Sequence, residues 1–375
     1  MSIVTIGGAT KDFFLQYDGA DTMSITKKSG SFTYALFESG EKVELETVTA
    51  KTGGVATNAA VSFKRQGFAV ACISTIGNDQ AGEHVLSDLA QAEVSSNLIM
   101  RLPNEKTGTS YILSSVHGER TLFAHRGANT MLGSIPLPLD KVTNARQFYI
   151  TSLNKNAAAQ LPAITEYAKK HHISVAINPG TKQLSSEALT LKQSLGNIDI
   201  LIVNSSEARM FMQTLTQKDE CYRWSFQVDS TETPRSLNAT DASAYLLKYP
   251  MSCQDMMFSI HNFFIETLAM GPRIVVVTNG ANGVYVGSNK TIWFHPSIPT
   301  KVINTVGAGD AFGSCFVGSL LQGHSIPDAL RRGIINSASV LGTIGAKDGL
   351  LTTEQLTQRA TELSEGLLKT FDLQR

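Results

Sequence analysis

The 375-residue chain has no Gly-Lys dipeptide, so a phosphate loop of the G-x-x-x-x-G-K-[ST] type is absent, and H-E-x-x-H and G-x-S-x-G are missing as well. Its four cysteines, Cys72, Cys221, Cys253 and Cys315, include no C-x-x-C pair. That excludes a zinc ribbon and a disulfide framework and fits a reducing compartment. Neither sign of charge prevails: 32 Lys+Arg oppose 32 Asp+Glu, a formal net charge of zero. Electrostatics therefore single out neither nucleic acid nor an anionic membrane as a partner. No run approaches the ~18 apolar residues that a spanning helix needs. The start, MSIVTIGGATKDFF, has neither a cationic segment nor a long apolar one. What is present is an ordinary globular composition, 42% hydrophobic and 17% charged. The expectation is a soluble, cytoplasmic protein with no nucleic-acid and no membrane partner.

Short β-branched runs alternate with longer helical patterns. Strands are predicted over 2–6, 69–76, 147–151, 174–177, 198–203 and 273–278. Helices are predicted over 56–66, 81–91, 157–171, 186–195 and 206–215. His171-His172 close one of these helices, where cations suit the macrodipole. Apolar strands in this order predict a largely parallel sheet covered on both faces. Two regions break the rhythm. Residues 32–50 alternate polar and apolar positions (Val43, Leu45, Val48), and 111–115 and 121–124 flank Val116-His117-Gly118-Glu119 as a hairpin. Together they suggest a small second sheet standing off the body. Residues 292–303 read as extended. The stretch 216–270, with Trp224, Pro234, Pro250 and a helix near 255–268, reads as a surface insertion too short to build its own core. Near the end Thr352-x-x-Gln355 is a capping box, and Leu356, Ala360, Leu363 and Leu367 make one apolar helical stripe.

The segment Ile303-Asn304-Thr305-Val306-Gly307-Ala308-Gly309-Asp310-Ala311-Phe312 carries the most chemistry. Extended residues precede it, and Phe312, Phe316, Val317, Leu320 and Leu321 follow at helical spacing. Gly307-Ala308-Gly309 therefore opens a helix, with small side chains that let a ligand reach the unpaired N–H groups and the positive dipole end. A carboxylate beside such an anion site, Asp310, suits the removal of a proton from a hydroxyl attacking a phosphoryl group. Taken alone, Asp310 reads equally as a helix N-cap behind a tight turn. The spacing G-x-G-x-x-x-G (Gly307, Gly309, Gly313) does not fit a dinucleotide fingerprint.

Gly307-Ala308-Gly309-Asp310 with its flanks resembles the C-terminal signature of the ribokinase/PfkB carbohydrate kinases. Gly53-Gly54-Val55-Ala56-Thr57-Asn58-Ala59-Ala60 resembles that family's N-terminal Gly-Gly signature, and Asp12 its sugar-binding aspartate. Gly127-Ala128-Asn129, Asn178-Pro179, Asn204-x-x-Glu207 and Thr278-Asn279-Gly280-Ala281-Asn282-Gly283 match further family motifs in order and spacing. The resemblance covers nearly the whole chain apart from 216–270.

This resemblance implies a three-layer α/β/α sandwich with a mostly parallel central sheet and a small β-sheet lid. It implies a single kinase domain over 1–375, with lid segments about 13–50 and 100–128 and the atypical insertion at about 216–270. Asp310 would be the general base, and the amides of Gly307, Ala308 and Gly309 the anion hole. Asp12, Gly53, Gly54 and Asn58 would bind substrate hydroxyls. Asn204 and Glu207 would position Mg²⁺ through water, and Thr278, Gly280, Gly283 and Asn336 would line the ATP site. Asn304 stands where the family has an aspartate beside a monovalent-cation site, which leaves K⁺ activation open. Val55 stands where ribokinases have lysine, which puts ribose itself in question. The expected activity is ATP- and Mg²⁺-dependent phosphorylation of a hydroxymethyl group of a sugar. A nucleoside (adenosine-type) kinase is the alternative, because Phe13, Phe14, Tyr17, Tyr34 and Phe37 offer rings for a base. A catalytically weak sugar- or nucleotide-binding paralogue is the rival from another class; intact Asp310 and the intact Gly-Ala-Gly turn speak against it. The exposed lid sheet suggests a homodimer contact.

Overall fold

Strands that carry apolar side chains on both faces have to be covered on both, and the alternation of each strand here feeds two separate cores. Phe148, Ile150, Leu201, Val203, Val275 and Val277 pack with Ile164, Phe211, Phe263 and Phe264 on one side. Tyr149, Ile200, Ile202 and Val276 pack with Phe63, Phe312, Phe316 and Ile334 on the other. The computed structural model describes residues 2–17, 19–27, 30–114, 120–216, 244–253 and 256–373. Among these residues the main sheet has ten strands. Their order is Lys369–Asp372, Thr291–His295, Val284–Ser288, Ile274–Thr278, Ile200–Asn204, Ser174–Ile177, Gln147–Ile150, Ser2–Ile6, Ala69–Gly77 and Ile99–Leu102. Neighbours run parallel from Ile274–Thr278 to Ile99–Leu102, and antiparallel on the other side. The parallel strands thus share one C-terminal edge, the place where an open α/β sheet collects its ligands. Among the described residues no helix is long and apolar enough to cross a membrane.

A smaller sheet stands on that edge, in the order Thr47–Gly53, Thr10–Gln16, Gly108–Ser114 and Arg120–His125, with a separate hairpin of Asp21–Lys27 and Gly30–Leu36. Residues 37–46, inside the run predicted as extended, form no strand. The hairpin predicted around residues 116–119 does pair Gly108–Ser114 with Arg120–His125 antiparallel, and its tip lies outside the described residues. Period two sorts the faces of this sheet. Asp12 lies opposite Ser110, and their neighbours Phe13 and Tyr111 stack on the other face at 5.2 Å and 12°. The base of the small sheet is fastened to the body by Lys347, whose Nζ donates to Asp88 Oδ2 at 2.5 Å and Thr52 Oγ1 at 2.8 Å, and by a Lys51–Asp348 pair at 2.9 Å.

Three local expectations need amending. Residues 217–243 of the presumed insertion lie outside the described residues, but its later part is core: Leu246, Met251, Phe258, Ile260, Phe263 and Phe264 are each at most 1% exposed. The helix there, Ile260–Ala269, starts at a Ser259/Asn262 capping box. The helix expected over 157–171 is two, Asn156–Ala159 and Leu161–Lys170, because Pro162 lacks the N–H needed to continue and suits a first turn. The last helix, Thr353–Glu362, has the predicted Thr352/Gln355 box, but it ends where Leu363 turns extended. Leu367 is therefore exposed rather than part of a stripe, and Lys369–Asp372 forms an edge strand of the main sheet.

Phe258→Ala is expected to cost about 3–5 kcal/mol in a urea titration, the range for deleting a fully buried ring. A cost below about 1 kcal/mol would place the segment after residue 244 outside the core.

Candidate active site

Two helices begin at the C-terminal edge of the sheet without a side-chain cap. Val55–Arg65 starts at Gly54, with φ 98°, and Ala308–Leu321 at Gly307, with φ 83°. Both positions require glycine. A Cβ on Gly54 would fall 2.5 Å from the Gly8 carbonyl oxygen, and one on Gly307 2.3 Å from the Ala346 Cβ. Asn304 builds the approach to the second helix, its Oδ1 accepting the Val306 N–H at 2.9 Å. The Ala311 N–H donates to the Gly307 carbonyl at 2.8 Å. The N–H groups of Ala308, Gly309 and Asp310 precede this bond and so have no helical acceptor. The space above Gly309 is open, with nothing within 4 Å of where a Cβ would sit. Unpaired donors and a positive dipole end facing open space make a cradle for an anion.

Asp310 borders that cradle. Its Oδ2 accepts from Asn58 Nδ2 at 2.8 Å, joining the first turns of the two helices. The carboxyl faces a cleft of about 450 Å³ yet has protein packed around it. Burial pushes its pKa up to about 7, with the like charge of Asp12 adding to the rise and the Asn58 hydrogen bond opposing it. Asp12 lines the same cleft and is 6% exposed. Burial raises its pKa too, while hydrogen bonds from Thr10 (2.8 Å) and Ser110 pull it back. Gly53 faces the Asp12 carboxyl rather than the cleft: a Cβ there would fall 1.9 Å from Asp12 Oδ2. Asn129 clamps the turn before Asp12, accepting the Ala9 N–H at 3.0 Å and donating to its carbonyl at 2.7 Å.

The sequence reading missed several residues of this cleft: Ser110, Arg120, His125, Arg126 and Asn154. A signal for some of them existed. Period two along Arg120–His125 puts Arg120, Leu122 and Ala124 on one face. The aromatic residues held ready for a nucleobase are elsewhere. Among the described residues no Phe, Tyr or Trp lines the cleft; Phe14 is buried, Phe13 stacks on Tyr111, and Tyr17 stacks on Phe37 at 6.0 Å.

A second cleft, of about 150 Å³, lies across the same helix start, walled by Thr278, Gly280, Gly283, Ala308, Gly309 and Ser337 among others. Gly283, at φ 93°, packs against the His295 carbonyl, where a Cβ would come within 2.4 Å. Asn336 is not part of this wall. Its Nδ2 donates to the Ala311 carbonyl at 2.9 Å and its Oδ1 accepts the Leu351 N–H at 3.0 Å, so its amide is committed inside the protein. Ser337 and Ala338 face the cleft instead. Asn204 and Glu207 line neither cleft. They cap their helix reciprocally: Glu207 Oε2 accepts the Asn204 N–H at 2.8 Å, and Asn204 Oδ1 accepts the Glu207 N–H at 2.9 Å. Strand register sets Asn204 beside Thr278, and burial raises the Glu207 pKa. Among the described residues no cluster of three or more His, Cys, Asp or Glu side chains is arranged to hold a metal ion. With Glu207 Oε2 and Asn204 Oδ1 engaged on backbone N–H groups, contact through water is the mode open to an ion such as Mg²⁺, which keeps much of its hydration shell.

The family model for pfkB family carbohydrate kinases matches residues 25–231 and 262–353, passing over 232–261. The ribokinase of Haemophilus influenzae is 25% identical over 316 residues, spanning 84% of this chain and 89% of that one. The 5-dehydro-2-deoxygluconokinase of Clostridium tetani is 24% identical over 330 residues, 86% and 87% of the two chains. Two solved structures share the fold. Arabidopsis thaliana ribokinase complexed with ribose and ATP superposes at a TM-score of 0.70 and 17% identity, covering 96% of this chain and 99% of that one. Burkholderia thailandensis nucleoside kinase in complex with inosine superposes at 0.68 and 15% identity, covering 96% and 98%.

An Asp310 that holds its proton to about pH 7 has a sign that can be checked against stability. An unfolded aspartate releases the proton near 4, so between the two values the native state binds more protons and stability falls as pH rises. Asp310→Asn should therefore stabilise the protein at pH 8, by about 1–3 kcal/mol once cleft water is allowed for, and leave it unchanged at pH 4. A variant less stable than wild type at pH 8 would show that the charged carboxylate is favourably held.

Proposed function

The chain belongs to the PfkB family of carbohydrate kinases, and from that premise we propose that it transfers the γ-phosphoryl group of ATP to a hydroxymethyl group of a sugar. One observation carries the reading. The start of the helix Ala308–Leu321 is a wall common to both clefts, with Asp310 turned to the larger and Ala308 and Gly309 to the smaller. A donor in one cleft and an acceptor in the other would meet at the amide cradle, with a proton acceptor on the acceptor's side.

In this scheme the nucleotide occupies the smaller cleft, along the Thr278–Gly283 turn, and its terminal phosphate rests on the amides of Gly307, Ala308 and Gly309, with the Asp310 N–H completing the cradle. Those donors hold the negative charge of the transferring group in place of water. The sugar lies in the larger cleft, its hydroxyls bonded to Asp12 and Asn58 and passing beside Gly54. Its hydroxymethyl oxygen forms the new P–O bond while the bond to the leaving ADP oxygen breaks, and its proton goes to Asp310. A base with a pKa near 7 is ionised often enough at neutral pH and still basic enough to take that proton. Mg²⁺, held through water by Glu207 and Asn204, would neutralise phosphate oxygens. Asn304 commits its Oδ1 to Val306, and no step here runs through a monovalent cation.

The small sheet carries Asp12 and Ser110, so drawing it down over the sugar would complete the hydroxyl contacts and exclude water together. Its outer residues Val48 and Phe123 are more than half exposed, which supports a contact between two copies at the lid. The nucleoside reading is the weaker one, since among the described residues the cleft offers a base no Phe, Tyr or Trp ring to stack on. A protein that only binds would have no use for a half-buried carboxylate poised to titrate at neutral pH.

An ADP-release screen over pentoses, hexoses, sugar acids, sugar phosphates and nucleosides should find one acceptor class turned over well. With it, Asp310→Asn is expected to lose about 10²–10⁴ in kcat while ATP still binds within a few-fold. Wild-type kcat/KM should rise with pH and level off above about 7, as Asp310 loses its proton. Turnover by the variant close to wild type would remove Asp310 as the base. Asp12→Ala should raise the acceptor's KM by about 10–100-fold, the cost of losing a charged hydrogen bond to a hydroxyl. An unchanged KM would remove Asp12 from the acceptor site.

A further inference from the structure

On the reading proposed above, the acceptor presents its hydroxymethyl group to Asp310, and the rest of it lies along the larger cleft. That cleft straddles the C-terminal edge of the main sheet. Asp310, Asn58 and Gly54 stand at one end, on the two helices whose Ala56, Ala311 and Phe312 pack into one core. Leu132, Leu153 and Ala157 stand at the other end and belong to the opposite core. Two polar side chains come with them. Arg126 leads into the turn Gly127–Thr130 that delivers Leu132, and Asn154 follows Leu153. Alternation settles the face. Ala124 pairs with Ser110 and Ser110 with Asp12, so Arg120, Leu122, Ala124 and, just past the strand, Arg126 share the face that carries Asp12. Two strand spacings, about 10 Å, separate the arginines' strand from that of Asp12.

Neither arginine is paired. Among the described residues no carboxylate lies within ion-pair distance of Arg120 or Arg126. The two carboxylates of the cleft have other donors, Asp12 its Thr10 and Ser110, and Asp310 its Asn58. Arg120 is accessible, yet the protein around it lowers its pKa and no neighbouring charge raises it. While Asp310 holds its proton, two guanidiniums face the single charge of Asp12 across the space that the acceptor fills. Concave walls focus such an imbalance into a positive potential. The planar fork of a guanidinium matches a carboxylate or a phosphate group, not a lone hydroxyl.

The far end is also shaped at a cost. Lys155, beside Asn154, sits at φ 51°, which is strained for a residue other than glycine. Gln183 and Glu187 hold the turn from behind, accepting the Leu153 N–H at 2.7 Å and the Lys155 N–H at 3.0 Å. Asn154 is thereby kept on the cleft wall.

We propose that the acceptor is a sugar bearing an anionic group, a carboxylate or a phosphate, at the end away from its hydroxymethyl, and that Arg126, supported by Arg120 and Asn154, binds that group.

Two series of acceptors test it: D-glucose, D-gluconate and D-glucose 1-phosphate, and D-ribose, D-ribonate and D-ribose 1-phosphate. Each has a free primary hydroxyl at the end opposite the varied group. Turnover is read as ADP release by the full chain, and binding by calorimetry with ADP saturating. An anionic member should exceed its neutral parent at least about tenfold in both affinity and kcat/KM, and by less as salt is added. The aldonates and the 1-phosphates separate carboxylate from phosphate. Arg126 is exposed, so Arg126→Gln should fold; it should raise KM for the anionic acceptor about tenfold or more and narrow the preference over the neutral parent. Replacing Arg120 as well should remove what preference remains. Neutral parents bound as tightly as their anions, anions that do not bind, or a preference unchanged in Arg126→Gln would overturn the proposal. Anions bound with the expected preference but never phosphorylated would bear out the anion site and overturn the kinase reading instead.

Discussion

Everything at the edge shared by the two clefts depends on one contact, the hydrogen bond from Asn58 to Asp310 across 252 residues of chain. It is the first rung of a seam between the helices Val55–Arg65 and Ala308–Leu321. One turn further on, Ser314 Oγ meets Ser62 Oγ at 2.6 Å. One turn beyond that, Gln66 packs on Gly318 so closely that a Cβ would fall 2.2 Å from its Oε1. Positions 58, 62 and 66 thus face 310, 314 and 318, the register of two helices aligned along i, i+4 rows. The seam fixes where both helices begin, and therefore where their uncapped N–H groups point. Glycine at 54 and 307 lets the two starts come close to neighbouring backbone without a cap. A side-chain cap at either start would occupy the donors that an anion needs.

The sheet determines what lies around that seam. Parallel strands deliver Gly7-Gly8, Asn204 and the Thr278 turn to one edge, and the helix starting at Gly307 divides that edge into two clefts. The small sheet then supplies Asp12 by alternation alone. Shifting Thr10–Gln16 by one residue would swap Asp12 for Phe13, replacing a carboxylate in the cleft with a ring. Under the proposed function, the register with Gly108–Ser114 and Thr47–Gly53 constrains the site as well as the sheet. The Lys347 link to Asp88 and Thr52 fixes the base of that sheet.

Features that are local in the chain were legible in the sequence, and those that depend on a rotation or on remote packing were not. The strand 174–177 and the Thr352/Gln355 box follow from short-range chemistry, and both stand in the structure as read. The two glycine turns were legible because only glycine tolerates such close approach. Asn336 shows the limit. Counting along a helix from Asp310 reaches the right turn, but one residue is a 100° rotation, and that separates a core amide from the cleft-facing Ser337. Arg120 and Ser110 were hidden because their strands are half-exposed and either face is permitted. Phe258 through Phe264 looked like an insertion because the sequence before them is polar and shows no helix or strand period. Only the sheet, brought in from elsewhere in the chain, shows that those rings are buried.

The acidity of Asp310 follows from a competition that no single residue decides. Burial and the charge on Asp12 favour its proton, while the Asn58 amide favours its release. Asp12, in the same cleft, has Thr10 and Ser110 to hold its charge against burial. The two carboxylates are thus unequal by construction, one supported by two hydroxyl donors and the other by a single amide. An acceptor lying between them would meet at one end a carboxylate held by two hydroxyl donors, suited to receiving hydroxyl hydrogen bonds. At the other it would meet a group near its midpoint, suited to taking a proton away. Burial does most to make Asp310 basic, and the Asp12 charge that adds to it would also orient the acceptor, so binding and proton transfer would be electrostatically coupled.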